Sequence, residues 1–210
     1  MAQTVKDDVG YINLLIANAG ITGPGLDDLK PHATLSDFVN HAWKSPMHEF
    51  NSVYELNCTA VFYTIIAFLE LLDQGNTQSY QVKSQVIATA STAAYLRNPR
   101  AGYAYCSSKA ALISMIKCFS SYCVPWGIRF NAIAAGCEYM VDIPNTARLY
   151  LKLIHFAVFP SELSAPLLNP FKISKDKAVT EEGAFARSYQ PAERAGGEDD
   201  MAGVTLYLAK

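Results

Sequence analysis

The stretch YINLLIANAG, residues 11–20, decides how the rest of the chain is read. Ile12, Leu14, Leu15 and Ile16 form a short apolar run, and Asn18-Ala19-Gly20 closes it with a turn signal. A continuous run of this kind predicts a buried strand in a parallel sheet covered on both faces, although periodicity alone leaves a helix open. Such strands sit inside a sheet, yet only ten residues precede this one.

Downstream, ITGPGLDDLKPHATLS (21–36) reads as a Gly/Pro/Asp-rich loop. Ser45-Pro46 then gives a helix start, with Ser at the cap and Pro in the first turn. The apolar positions Phe50, Tyr54, Val61, Ile65, Phe68 and Leu72 carry that helix to a stop near Gly75. SQVIATAS (84–91) is a second strand, rich in apolar residues. From Ser107 to Cys123, Leu112, Met115, Ile116, Phe119, Tyr122 and Cys123 recur at helical spacing and predict an amphipathic helix. IRFNAIAAG (128–136) is a third strand. GGEDDMAGVTLYLAK (196–210) is a last helix with acids in its first turn and Met201, Val204 and Leu208 on one face. Strands alternating with helices imply right-handed crossovers and a parallel α/β sheet.

The composition narrows the partners. In 210 residues, 50% hydrophobic and 17% charged, there is enough apolar material for one domain with a sizeable core. A net charge of -2 with no basic run gives no electrostatic reason to expect nucleic acid or an anionic membrane. Cys58, Cys106, Cys118, Cys123 and Cys137 form no CxxC pair and read as reduced thiols. His32, His41, His48 and His155 have no HxxxH or HExxH spacing, so no metal site is expected. No basic-then-apolar leader follows Met1, and CTAVFYTIIAFLELL (58–72) is short for a bilayer span and carries Glu70. A cytoplasmic protein is expected.

Chemistry concentrates in YAYCSSKAALISMIK, which puts Tyr105 and Lys109 four apart, on one helical face. A free tyrosine, with a pKa of about 10, is a poor acid or base at neutral pH. A lysine cation held close is expected to favour the phenolate and lower that pKa. Ser91, ending the preceding strand, is a candidate to hold a substrate oxygen against the tyrosine. Alone, YxxxK is common by chance, and a surface Tyr beside a solvated Lys is its ordinary meaning.

The neighbouring segments change that, because together they resemble the short-chain dehydrogenase/reductase family. ANAG (17–20) resembles the family's NNAG, with Ala17 for the first Asn. YELNCTAVFYT resembles the segment carrying the active-site asparagine, here Asn57. VIATASTAAY resembles the strand ending in the catalytic serine, placed at Ser91 with Thr92 as the alternative. YCSSK supplies Tyr105 and Lys109. NAIAAG resembles N-x-I-x-P-G, with Ala135 where proline is usual, and ERAGGEDDMAGVTLYLA resembles the helix before the last strand.

The resemblance implies a single incomplete NAD(P)-binding domain over 1–210: a partial Rossmann-like, doubly wound parallel sheet lacking the N-terminal glycine-rich half. It implies NAD or NADP as cofactor, near Asn18, Ala19, Gly20, Tyr105, Lys109 and Gly136. Tyr105 would exchange a proton with an alcohol or carbonyl oxygen of a small organic substrate, and Ser91 would orient that oxygen. Lys109 would lower the tyrosine's pKa and hold the nicotinamide ribose, and Asn57 would hold a water. Homo-oligomers through the helices at 46–73 and 107–123 are a further expectation of the resemblance.

In the family the NNAG strand is the fourth, so residue 11 is expected to fall mid-protein, and a final strand is expected after Lys210. No two glycines here lie four apart, so GxxxGxG is absent, and GITGPG (20–25) reads as a plain loop. Residues 137–157, CEYMVDIPNTARLYLKLIHFA, intervene where the family would pass directly to a segment like VFPSEL. They are either an enlarged lid or translated intron, the latter preferred. Two alternatives to an active oxidoreductase stand: an inactive member of the family acting as a binding protein, and an unrelated α/β interaction module.

Overall fold

The computed structural model describes residues 1–26, 28–30, 32–78, 81–97, 99, 101–136, 172–186 and 194–209. They fall into two compact units, Met1–Ile133 and Ala134–Lys210. Residues 137–157, expected as an insertion, lie outside the described residues.

In the first unit, β1 (Leu14–Ala17) and β2 (Gln85–Ser91) pair in parallel, with Leu14 opposite Gln85 and Ala17 opposite Ala88. β3 (Arg129–Ala135), which lies in this unit as far as Ile133, flanks β2 on its other side, giving the order β1-β2-β3. The three strands predicted from apolar runs are therefore present, within a residue or two of their expected bounds.

The helices are α1 (Ala2–Asp8), α2 (Leu35–Lys44), α3 (Met47–Tyr54), α4 (Val61–Thr77) and α5 (Tyr103–Tyr122). A π-turn over Glu55–Ala60 joins α3 to α4, so the rod runs unbroken from Met47 to Thr77. Val53, Asn57, Val61 and Ile65, four apart throughout, are all buried. Pro46, not Ser45, is the cap residue of this rod; Ser45 ends α2. Neither α1 nor α2 was expected from the apolar pattern. The start of α2 is marked by a capping box, in which Asp37 N–H donates to Thr34 Oγ1 and Thr34 N–H donates to Asp37 Oδ2.

α4 packs on β1 and α5 on β2. The core lies between them: Ala17, Val61, Ile65, Leu72, Val86, Ala88, Leu112, Ile116 and Phe130. Phe119 of α5 stacks on Phe130 of β3 at 5.3 Å and meets Phe62 of α4 at 5.7 Å. By length and composition, Met47–Thr77 is the one helix among the described residues able to cross a membrane. It is longer than the 58–72 segment considered above, and its buried side chains are those of a helix packed on a sheet.

One expectation is corrected. β1 is not covered on both faces among the described residues: Ala17 is buried, whereas Leu14 and Ile16 are 36% and 49% exposed. Side chains alternate across a strand, so the face carrying Leu15 and Ala17 meets the core while Leu14 and Ile16 point the other way.

Where α4 ends, its backbone meets the chain entering β1. Gly75 is buried there, and a Cβ on it would land on the Ile12 carbonyl oxygen. Asn13 Nδ2 donates to Gly75 O (3.2 Å) and to Ser84 Oγ (3.4 Å), and Ser84 N–H donates to Asn76 Oδ1 (2.7 Å). This polar knot closes the sheet at the end away from Ser91.

In the second unit, α6 (Glu198–Ala209) opens with Glu198, Asp199 and Asp200, acids that suit the positive end of the helix dipole. Asp200 pairs with Arg194 (2.7 Å) and accepts from Gly197 N–H (2.7 Å). Those hydrogen bonds, Arg194 first, hold its carboxyl down at about 2.

Candidate active site

α5 begins at Tyr103, early enough to place Tyr105 and Lys109 in its first two turns, both buried. The end of β2 supplies Ser91, whose Oγ accepts from Ala93 N–H (3.1 Å) as the chain turns into Thr92–Tyr95. A hydrogen bond from the Ser91 side chain acts on Tyr105; the alternative candidate, Thr92, is buried next to it.

Burial pushes the Tyr105 phenol up, the Ser91 hydrogen bond opposes that rise, and Cys106 adds to it. Where Lys109 was expected to lower this pKa, the phenol is on balance raised. The lysine ammonium lies 5.7 Å from the tyrosine ring centroid and donates to Thr89 O at 2.8 Å. Desolvation of the phenolate, which no spacing rule reports, is the largest influence on this group.

Lys109 itself is pulled down to about 8, chiefly by burial, with the Cys58 thiol acting in the opposite sense. A lysine whose folded pKa lies below its unfolded value of 10.5 binds fewer protons in the native state between pH 8 and 10.5. Stability then rises with pH across that window and is lowest below it. Lys109→Met removes the effect. In urea denaturation the wild-type chain should gain about 2 kcal/mol relative to this variant between pH 7.5 and 9.5. The Tyr105 shift acts only above its ordinary value of 10 and with opposite sign, so it leaves the comparison intact. Parallel pH profiles for the two proteins would refute the burial of a charged amine here.

The ANAG turn reaches the same place. Gly20 sits so close to the helices that a Cβ on it would lie 3.0 Å from Asn57 Oδ1 and 3.2 Å from Lys109 Nζ. Asn18 Oδ1 accepts from Thr89 Oγ1 (2.8 Å), and Ala19 is exposed. Gly136 directly follows β3 and belongs to the second unit. Asn57 is fully buried in the π-turn, and its amide closes on Ile21: Oδ1 accepts from Ile21 N–H (2.9 Å) and Nδ2 donates to Ile21 O (3.0 Å). Its other N–H goes to Ser108 Oγ (2.9 Å), so both amide donors are spent inside the protein.

The structure thus brings together Gly20, Asn57, Ser91, Tyr105 and Lys109. Thr89, Ile21 and Ser108 join them without having been expected. Thr89 and Ile21 act through backbone atoms, which side-chain identity does not announce. The loop 21–25, read as plain, instead carries Gly23 at φ +71° packed against Val53, so it is wedged onto α3. A separate open cleft of about 740 Å³, lined by Pro24, Lys30, His41, Lys44 and Glu49 among others, contains none of the five grouped residues. Among the described residues, no group of His, Cys, Asp and Glu could hold a metal ion.

Known proteins share this arrangement of elements. The sequence model for short chain dehydrogenase matches residues 1–142. The chain is 35% identical over 207 residues to the short-chain dehydrogenase/reductase PhomF of Diaporthe leptostromiformis, covering 98% of this chain and 61% of that protein. It is 33% identical over 222 residues to the short-chain dehydrogenase/reductase SAT3 of Stachybotrys chartarum, covering 98% and 71%. The chain therefore spans about three fifths of the length of PhomF. Among solved structures, the active-site complex of Pseudomonas aeruginosa RhlG with NADP superposes with a TM-score of 0.61 at 23% identity, covering 99% of this chain and 63% of that one. That likeness is one of Rossmann-like α/β fold. With the family model spanning well over half the sequence and motifs gathered around Tyr105, the chain belongs to the short-chain dehydrogenase family.

Proposed function

We propose that the protein is an NAD(P)-dependent oxidoreductase that interconverts an alcohol and a carbonyl on a small organic substrate, with Tyr105 as acid and base. The observation that carries this reading is the meeting of Ser91, Tyr105 and Lys109 beside Gly20, where a Cβ would crowd Asn57 and Lys109.

The residues present fit a nicotinamide nucleotide. Gly20 leaves open the space a Cβ would fill, next to Lys109 Nζ. Among the described residues, Lys109 spends one of its three N–H groups, on Thr89 O, and two remain for ribose hydroxyls. When bound, the nucleotide supplies or accepts the hydride. Ser91 orients the substrate oxygen toward Tyr105. The raised phenol pKa keeps Tyr105 protonated at neutral pH, ready to donate to that oxygen, which favours carbonyl reduction there. Alcohol oxidation needs the phenolate and gains as pH rises.

A cytoplasmic setting belongs to the same proposal, since the cysteines Cys58, Cys106, Cys118 and Cys123 are all free thiols. So does a single NAD(P)-binding domain, and so does pairing of two copies through the Met47–Thr77 rod and α5. The choice between NAD and NADP is left to experiment. The alternative reading is an inactive binding protein of the family.

A titration of the purified 210-residue chain with NADH and with NADPH, read by nucleotide fluorescence alongside a circular-dichroism melt, separates the two. A saturable signal on a cooperatively melting protein is the expected result. A cooperative melt with no binding of either nucleotide would transfer the conclusion to the second reading.

A further inference from the structure

Ser108 stands between Tyr105 and Lys109 in sequence and is completely buried. Its hydroxyl donates to the Tyr105 carbonyl oxygen (2.9 Å) and accepts from Asn57 Nδ2 (2.9 Å). Its own carbonyl accepts from Cys58 Sγ (3.2 Å), so two successive residues of the π-turn are bonded to this one serine. Asn57 in turn is closed on Ile21 by two hydrogen bonds. A continuous path therefore runs from the loop after Gly20, through Asn57 and Ser108, to the backbone of the helix bearing the tyrosine and the lysine.

A buried serine that bonds a carbonyl three residues back in its own helix is ordinary, and needs no second partner. Here the second partner is the amide that fixes the loop. The clearance at Gly20 shows how little latitude the loop has: Asn57 Oδ1 and Lys109 Nζ stand 3.0 and 3.2 Å from where a Cβ would be.

We propose that Ser108 is a positioning residue of this site: its hydroxyl anchors the Asn57 amide, and through it the loop at Gly20 and Ile21, in register with Tyr105 and Lys109. The inference rests on the oxidoreductase reading for its kinetic consequence, but its geometric content is separable from that reading. Losing the hydroxyl leaves a buried Asn57 N–H without an acceptor and leaves the amide tied to the loop alone, no longer to α5. Small displacements of reacting groups are costly in rate.

The test uses the full chain with Ser108→Ala, Asn57→Ala, the double variant and Ser108→Thr. Ser108→Ala should lower kcat by about tenfold with a smaller change in KM. On the Asn57→Ala background the same substitution should cost less than about twofold, because the two act as one unit. Ser108→Thr, which keeps the hydroxyl, should recover most of the loss. A second readout is independent of turnover: the pH dependence of trace acetylation of Lys109, followed by mass spectrometry of its peptide. Its midpoint should move up in Ser108→Ala as the packing around the amine loosens and water enters. Tyr105 and Cys58 are the titratable groups that bear on Lys109, and both remain in this variant.

Full additivity of the two alanine substitutions, or an unmoved labelling midpoint, would overturn the proposal. If Ser108→Ala does not fold, Ser108→Cys keeps the volume with a weak acceptor and should show the same kinetic and labelling changes in milder form; wild-type values in both would overturn it. If the wild-type chain binds no nucleotide, the oxidoreductase reading fails, while the labelling midpoint still decides the place of Ser108.

Discussion

Tyr105→Phe is expected to lower turnover by about 10²- to 10⁴-fold while leaving the fold and nucleotide binding in place. The substitution removes one oxygen from a ring that is otherwise packed and only 8% exposed, so the core around Ala104 and Leu112 keeps its contacts. On the proposed reading, what disappears is the proton meant for the substrate oxygen, together with the Ser91 hydrogen bond that acts on Tyr105. The stability change should stay within about 1 kcal/mol, the ordinary net worth of such a bond. Steady-state rates of carbonyl reduction in wild type and variant, with nucleotide fluorescence titrations of both, make the check. Turnover within threefold of wild type would remove Tyr105 from the reaction. Equal loss of nucleotide binding and turnover would recast it as a packing residue.

The second large effect is on stability, at the opposite end of the sheet. Gly75→Ala should destabilise the chain by about 2–3 kcal/mol, and lower its melting temperature by about 5–10 °C. In an ordinary helix the same change gains about 1 kcal/mol, since alanine is the better helix former. Here the added methyl lands on the Ile12 carbonyl oxygen and 2.7 Å from Ser84 Oγ, and both are fixed by the knot that also holds Asn13. The obstacle is backbone, so it cannot rotate away, and α4 must shift off β1. A thermal melt by circular dichroism measures the outcome. An unchanged or raised midpoint would mean that the helix and the strand approach less closely than described.

Much of this was legible in the sequence. Three apolar runs gave β1, β2 and β3, because strands with a buried face leave a dense signature of Val, Ile and Ala. The long apolar rod ending near Gly75 and the amphipathic run ending at Cys123 gave α3–α4 and α5. The family motifs alone pointed to Asn57, Ser91, Tyr105 and Lys109. α2 escaped because it follows a loop rich in Gly and Pro, although Leu35, Phe38, Val39 and Ala42 recur at helical spacing; that stripe has no buried residue in the fold. The capping box Thr34–Asp37 was a second sign. The pKa of Tyr105 escaped for a different reason. Spacing places Lys109 beside the ring, but the degree of burial is set by elements far apart in sequence. Ser108 was visible only as a small polar residue before the lysine, and nothing local connects it to Asn57, 51 positions earlier.

The π-turn has a geometric consequence of its own. An α-helix advances about 100° per residue, so side chains spaced by four drift about 40° at each step. Over Val53, Asn57, Val61 and Ile65 that drift would accumulate to about 120° and wind the later residues out of the interface. All four are nonetheless buried. A wider turn takes up roughly one extra residue, and so sets the winding back by about the amount that had accumulated. Glu55–Ala60 thus acts as a phase correction in the rod. One residue of chain length, rather than the identity of any side chain, determines which side of α4 meets the sheet.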